Sequence, residues 1–161
     1  MLIGIMADSH DNLPMIERAV KFFNQKKVEL VLHAGDFIAP FVVIRELKNL
    51  SSPLIGVFGN NDGEKEGLRK EIAKIGEIHS PPYELKYGGR KIVLSHIPLD
   101  LKKIKESEYD LIVYGHTHQP VIKRDKGSLL VNPGECGGWI TGYATVALVD
   151  LDKMEAEIGN L

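Results

Sequence analysis

The sequence predicts an α/β protein, a four-layer α/β/β/α sandwich in which two mixed sheets pack together between helical layers. Two observations carry this. In the first half, short apolar runs alternate with amphipathic segments, the pattern of a parallel sheet with right-handed crossovers. In the second half the helical periodicity fades and hairpin signals take over.

Leu2–Ala7 is apolar throughout and stops abruptly at "DSHDN", as a buried strand feeding a loop does. Leu13–Lys26 is a helix. Pro14 suits its first turn, and Ile16, Ala19, Val20 and Phe23 share one face while Glu17, Arg18 and Lys21 take the other. Leu30–His33 is a second strand, followed by "AGDFIAP", and a second helix runs over Phe41–Leu50 after Pro40. Leu54–Phe58 is a third strand, followed by "GNNDG", and Lys65–Ile75 a third helix with Leu68, Ile72 and Ile75 at helical spacing. In the second half, "YELKYGGRKIVLSH" is a hairpin turning at Gly88-Gly89. A short helix is expected over Asp100–Glu106 and a strand over Leu111–Tyr114. "VIKRDKGSLLVN" is a hairpin turning at Asp125–Gly127, and Tyr143–Asp150 pairs with Met154–Ile158.

Composition bounds the function. A chain of 161 residues with 43% hydrophobic content is expected to form one domain, residues 1–161. A net charge of −2 gives no electrostatic reason to capture nucleic acid or an anionic membrane. No apolar run reaches the roughly 20 residues that span a bilayer, and the N-terminus lacks the basic region of a signal peptide. The lone cysteine, Cys136, excludes an intrachain disulfide, so a cytoplasmic location is the expectation.

The residues just past each apolar strand are more telling. After Leu2–Ala7 come Asp8 and His10; after Leu30–His33, Asp36; after Leu54–Phe58, Asn60 and Asp62. His96 comes after Ile92–Leu94, and His116 and His118 after Leu111–Tyr114. Taken alone, "DSH" is a helix cap, "AGD" and "GNND" are turns, and His96 is a half-buried histidine. "GHTH" stands between packing and half of a metal site; on a strand its alternation would turn both rings to one face. Taken together, two aspartates, an asparagine and four histidines converge on one rim, at the carboxyl ends of strands where α/β sheets bind ligands. Unpaired, such a set would be costly to desolvate. A metal site explains all of it.

Carboxylate, amide and imidazole donors suit Mn, Ni, Co, Fe or Zn, with Mn the first choice, and no cysteine is offered for a structural zinc site. Seven candidates exceed one tetrahedral ion. One aspartate shared between two ions, each with three further ligands, uses all seven.

The ordered motifs Asp8-Ser9-His10, Gly35-Asp36, Gly59-Asn60-Asn61-Asp62, His96 and Gly115-His116-Thr117-His118 resemble the calcineurin-like metallophosphoesterases. The short length and the "NPGE" turn at 132–135 look most like the small archaeal and bacterial phosphodiesterase branch. The resemblance implies one metal on Asp8, His10, Asp36 and His118, a second on Asp36, Asn60, His96 and His116, and Asp36 as the bridge. Asp62 would orient the loop or a neighbouring histidine. The implied reaction is phosphodiester hydrolysis by in-line attack of a metal-bridging hydroxide on a small phosphodiester substrate. Catalytic roles fall to Asn61 and His10. Asn61 stands where relatives carry a histidine near the leaving group, and an amide cannot deliver a proton at neutral pH. A further departure is "IPLDL" after His96, where many relatives have a second histidine.

The rival expectation is a binding module, since the retromer scaffold subunit has this fold with a degraded site. A scaffold has no reason to keep seven ligands, which favours the enzyme. His33 is expected in the core or beside the ligands, and His79 in a surface loop. Trp139 is expected to line the pocket, to contact a second copy in a homodimer or to cover the core; Asn12 and Glu135 are placed near the rim without a role.

Overall fold

The computed structural model describes residues 1–103, 105 and 108–161. Its first sheet contains β1 (Leu2–Met6), β2 (Leu30–His33), β3 (Leu54–Val57), β4 (Gly76–His79), β10 (Thr145–Asp150) and β11 (Glu155–Asn160), in the order β11-β10-β1-β2-β3-β4. The strands from β1 to β4 are parallel; β10 runs antiparallel to β1, and β11 antiparallel to β10. The second sheet is β5 (Tyr83–Tyr87), β6 (Arg90–Leu94), β7 (Leu111–Val113), β9 (Ser128–Pro133) and β8 (Pro120–Asp125) in that spatial order. Here β6, β7 and β9 are parallel, with an antiparallel strand on each edge. Both sheets are therefore mixed, as the sequence predicts.

Strand periodicity divides the side chains between two cores. On β1, Ile3 and Ile5 point toward the second sheet, where they meet Ile92, Leu94, Leu111, Val113 and Val131; Leu30, Leu32 and Val57 join them from β2 and β3. Met6, Val31 and Leu54 face the other way, toward α1 (Leu13–Lys26), α2 (Phe41–Arg45) and α3 (Lys65–Ile72). From α1 come Ile16, Ala19, Val20 and Phe23, the apolar stripe read from the sequence. Burial on both faces is why the central strands read as unbroken apolar runs. The outer face of the second sheet, Val93, Ile112 and Leu130, is covered by Leu99, Leu101, Tyr109 and Tyr114.

Some boundaries differ from expectation. α2 ends at Arg45 and gives way to a one-turn 3₁₀ helix over Leu47–Asn49. α3 ends at Ile72, and Gly76–His79 is a fourth parallel strand that the sequence reading missed. Of the helix expected over Asp100–Glu106, residues 101–103 form a turn, while Ile104 and Glu106 lie outside the described residues. This connection, rather than a described helix, carries the side chains that cover the second sheet.

The helix layer sets one steric condition on β1. A Cβ added at Gly4 would lie 2.6 Å from Phe23 Cδ1, inside the fully buried ring. Gly4→Ala is therefore expected to destabilise the fold by about 1–3 kcal/mol, the usual range for overpacking. In urea titrations the loss should shrink in the Phe23→Leu background, because neighbours that clash are not additive. Strict additivity of the two substitutions would exclude this contact as the cause.

Candidate metal centre

The topology brings the candidate side chains together. β1, β2 and β3 are parallel in one sheet, β6 and β7 in the other, and the loops leaving their carboxyl ends meet on one rim. Backbone hydrogen bonds stitch neighbouring loops together within each sheet. Asp8 N–H donates to Gly35 O, Ser9 and His10 N–H both donate to Asp36 O, and Gly115 N–H donates to His96 O.

Two carboxylates form the floor, Asp8 and Asp36, both fully buried. Asp8, His10 and His118 make one cluster; Asp8, Asp36 and His96 make a second. His10 Nε2 lies 3.9 Å from Asp8 Oδ1 and 3.6 Å from Asp36 Oδ2, and His118 Nε2 lies 3.7 Å from Asp8 Oδ1. His96 Nε2 is 3.4 Å from the same Asp36 Oδ2. That oxygen therefore faces one histidine of each cluster. The His10 and His118 rings stack at 5.3 Å, and the His96 and His116 rings meet edge-on at 5.1 Å. Asn60 reaches the second cluster, with Oδ1 2.8 Å from His96 Nε2. All seven sequence-predicted ligand residues thus lie together, with His116 and Asn60 on the exposed side.

The donor set has the chemistry of a cation site. Asp8 Oδ1 and His10 Nε2 are buried and have no hydrogen-bond partner, a state that buried polar atoms rarely tolerate. At His96, Nδ1 contacts the Ala34 carbonyl at 2.8 Å, so that nitrogen carries a proton. Its Nε2 then points a lone pair at two oxygen acceptors, Asn60 Oδ1 and Asp36 Oδ2. A second ring proton, a rotated Asn60 amide or a cation would reconcile three converging lone-pair carriers. Ligands that each sit about 2.1 Å from one ion lie roughly 3–4 Å from one another, which is the spacing seen here. The residues fit divalent metal ions.

The electrostatics separate the two carboxylates. Burial pushes the Asp8 carboxyl up to about 6, against the pull of His118 and His96. Burial acts on Asp36 too, but the His96 ring 3.4 Å away and the hydrogen bonds from Asn61 outweigh it and hold this carboxyl well below the usual range. Asn61 donates twice, from its backbone N–H to Asp36 Oδ1 at 2.9 Å and from Nδ2 to Oδ2 at 2.7 Å. The residue expected beside the leaving group thus spends its amide on Asp36.

Backbone conformation is the larger surprise. Asp8, His10, Asp36, His116 and His118 all have positive φ, between 43° and 66°. Non-glycine residues rarely sit there, and such clustering marks functional sites. His116 and His118 lie in the loop after β7, not on a strand, so left-handed backbone rather than strand alternation directs them.

Supporting residues hold these turns. Asp62 accepts the N–H groups of Asp36, Ile38 and Gly59 at 3.1, 2.8 and 2.7 Å, which fixes the loop as the sequence reading proposed. Gly59 is required by close approach, since a Cβ there would fall 2.1 Å from Asp36 Oδ1. His33, the last residue of β2, accepts the Gly35 N–H at Nδ1, so its Nε2–H donates to Ser9 Oγ, 3.1 Å away; the Ser9 hydroxyl in turn donates to Asp36 O. Asn132 Nδ2 donates to Gly115 O and Thr117 Oγ1, pinning the "GHTH" loop. Glu135 is fully buried, 3.3 Å from His118 Nδ1. Burial opposes its charge, but hydrogen bonds from Thr141 and Ile140 more than offset that and lower its carboxyl. Sequence reasoning gave Asn132 and Glu135 no role; the "NPGE" turn is the one signal that could have found them.

A model of the calcineurin-like phosphoesterase superfamily domain matches residues 1–154. The chain belongs to the calcineurin-like phosphoesterase superfamily. It is therefore a hydrolase of phosphoesters, in a family that implies divalent metal ions. This phosphoesterase is 39% identical over 166 residues to phosphodiesterase MJ0936 of Methanocaldococcus jannaschii, with 96% of each chain covered. A solved structure described as a novel archaeal phosphodiesterase superposes with a TM-score of 0.93 at 36% identity, over 100% of both chains. A zinc complex of Vps29 from Entamoeba histolytica shares the fold, with a TM-score of 0.70 at 18% identity over 100% of this chain and 98% of that one. No helix among the described residues of this phosphoesterase is long and apolar enough to cross a membrane.

The buried His33 yields a pH prediction. Burial lowers its folded pKa from 6.5 to about 3, so between those values the unfolded chain binds a proton that the fold refuses. Its contribution is fully present above about 6.5 and is lost as pH falls toward 3. Asp8 acts oppositely in metal-free protein: its raised pKa favours the fold below the ordinary carboxylate value, an effect lost as pH rises through about 6. The comparison must therefore isolate His33. In chelated protein, unfolding free energy measured by urea titration from pH 7 to 4 should fall more steeply for the native chain than for His33→Gln. Equal slopes would refute the assignment.

Proposed function

We propose that the chain, as one catalytic domain over residues 1–161, is a phosphodiesterase whose seven candidate ligands hold two divalent cations. Asp8, His10, Asp36 and His118 would hold one, and Asp36, Asn60, His96 and His116 the other. The observation that carries this reading is Asp36 Oδ2, which faces His10 Nε2 and His96 Nε2 at 3.6 and 3.4 Å with no hydrogen-bond geometry to His10. Divalent ions bound there supply Lewis acidity to a phosphoryl group and acidify a water for in-line attack on phosphorus.

The chain's own side chains define the rest. The thiol and two serine hydroxyls near the centre are poor nucleophiles. The Cys136 thiol is buried and pushed up to about 12, far from the thiolate that attacks. The Ser9 hydroxyl is tied to His33 and Asp36 O, and that of Ser95 donates to Ile97 O. This favours direct attack by water over a covalent intermediate on these residues. Asn61 keeps Asp36 ionised but has no proton to give the leaving group. A small phosphodiester substrate is supported by the named phosphodiesterase at 39% identity, and a cytoplasmic setting by a lone cysteine that is buried and free. A non-catalytic scaffold would not need seven converging donors.

Two outcomes test this. Asp36→Asn should lower bound metal and activity together, activity by at least roughly 10²-fold, while Asp100→Asn on the surface changes neither. Elemental analysis and kinetics on the same preparations decide it, and unchanged stoichiometry and rate in Asp36→Asn would sink the shared-ligand assignment. The second concerns the proton. General acid help is typically worth ~10²–10⁴ in rate, so its absence should make log rate fall steeply with leaving-group pKa across substituted phenyl phosphodiesters. Asn61→His should flatten that line; a shallow line in the native protein would show that another group, such as His10, already donates.

A further inference from the structure

One part of the rim plays no role in metal binding or hydrolysis. Ile140 and Tyr143 stand 75% and 77% exposed on the loop after Glu135, and Trp139 beside them 66%. Exposed large apolar side chains on a loose loop would be unremarkable, but this loop is built to be rigid. The buried Glu135 carboxylate accepts the N–H groups of Trp139, Ile140 and Thr141 as well as the Thr141 hydroxyl. The indole N–H is tied to the His10 carbonyl at 3.1 Å. The same carboxylate thus fixes the loop and lies against His118, so the apolar side chains are held in register with the candidate metal centre.

Between this loop and the end of β11 runs a groove of about 490 Å³, lined by His118, Gln119, Pro120, Ile140, Tyr143 and Ile158 among others. Two properties define what it takes. It shares His118 with the candidate metal centre, so the two adjoin at that residue. And among the described residues that line it there is no Asp, Glu, Lys or Arg; its polar groups come from threonine, asparagine, glutamine, Tyr143 and His118. Such a wall suits a flat, neutral organic group with hydrogen-bonding edges and offers nothing to a second charged group. Contacts give the direction. Asn61 lies at the Asp36 end of the cluster, where the leaving group is expected, whereas His118 touches Asp8 at the other end.

We propose that this groove is a substrate subsite that binds a neutral aromatic group esterified to phosphorus, the group that stays on phosphorus after hydrolysis. The proposal rests on the phosphodiesterase reading, so its test separates the two. Bis(4-nitrophenyl) phosphate and methyl 4-nitrophenyl phosphate share a charge and a leaving group and differ in the retained group. The native protein should prefer the diaryl ester in kcat/KM by roughly tenfold beyond the twofold statistical factor, chiefly through KM, the scale of stacking one ring. In the Ile140→Ala, Tyr143→Ala double variant, whose replaced side chains are exposed, the preference should shrink to about threefold or less. Binding gives a readout free of turnover. Phenyl phosphate should bind the zinc-loaded protein more tightly than methyl phosphate by calorimetry and perturb the fluorescence of Trp139, the chain's one tryptophan. If neither diester is cleaved but phenyl phosphate keeps its Tyr143-dependent advantage, the phosphodiesterase reading fails and the subsite stands. If both diesters are cleaved, with no preference that the double variant removes and equal binding of the two monoesters, the subsite is overturned. A native dimer that the double variant dissociates in sedimentation, with the substrate preference intact, also overturns it by making this face a contact between copies.

Discussion

Two buried carboxylates a few ångströms apart govern this rim. Asp8 and Asp36 sit at the ends of adjacent parallel strands, and both are withdrawn from water. Like charges in that setting do not ionise alike. The fold resolves the conflict by unequal support. Asp36 is gripped by two Asn61 donors, whereas Asp8 accepts the His116 N–H and leaves its other oxygen unpartnered. One carboxylate is fixed as an anion before anything binds; the other reaches full ionisation at neutral pH most easily when a positive charge arrives. If Asp36 is the ligand shared by two cations, the protein prepares that ligand in advance.

Holding those side chains inward bends the main chain out of its ordinary wells. Five of the seven candidate ligands take left-handed backbone conformations, each a cost of order 1–3 kcal/mol for a non-glycine residue. The surroundings over-determine them. Asp62, Asn132 and the His33–Ser9 pair occupy the amides and carbonyls that each sharp turn exposes, and the strand pairing beneath is fully buried. The glycines sit where a neighbouring ligand passes too close for a Cβ, as at Gly59. The strain is local, and the two sheets that bear it are packed on each other by an uninterrupted apolar layer.

How much of this was legible depends on the length scale of each signal. The apolar runs marked β1, β2, β3, β6 and β7 because central strands bury both faces, and the residues just past them named the rim. That logic needed only strand ends. β4, with its "GEIH", stayed hidden because a short edge strand carries no apolar run. A helix was expected over Asp100–Glu106, yet the described residues Leu99, Leu101 and Tyr109 of this connection cover Val93, Ile112 and Leu130. The geometry of "GHTH" was misread for a different reason: alternation is a property of strands, and nothing in four letters announces positive φ at two histidines. Glu135 was invisible as a partner of His118 because the pairing joins loops after β7 and β9, which meet only in the folded sheet.

Unpartnered acceptors and strained turns together imply that folding and cation binding are linked. A site whose lone pairs converge without protons is a place where the fold is held below its attainable stability until a cation neutralises it. Whatever binds the native state alone stabilises it by RT ln(1 + [L]/Kd), and here the binding groups come from both sheets. Asp8, His10, Asp36 and Asn60 leave the first; His96, His116 and His118 leave the second. Occupation of this candidate site would clamp the two sheets to each other at the rim, in addition to the hydrophobic layer between them. Opening that clamp from the second-sheet side would also disturb Glu135, since it lies against His118, and through Glu135 the loop bearing Trp139, Ile140 and Tyr143. Ligand ordering and the shape of the apolar wall are in this way one mechanical unit, closed by a single buried carboxylate.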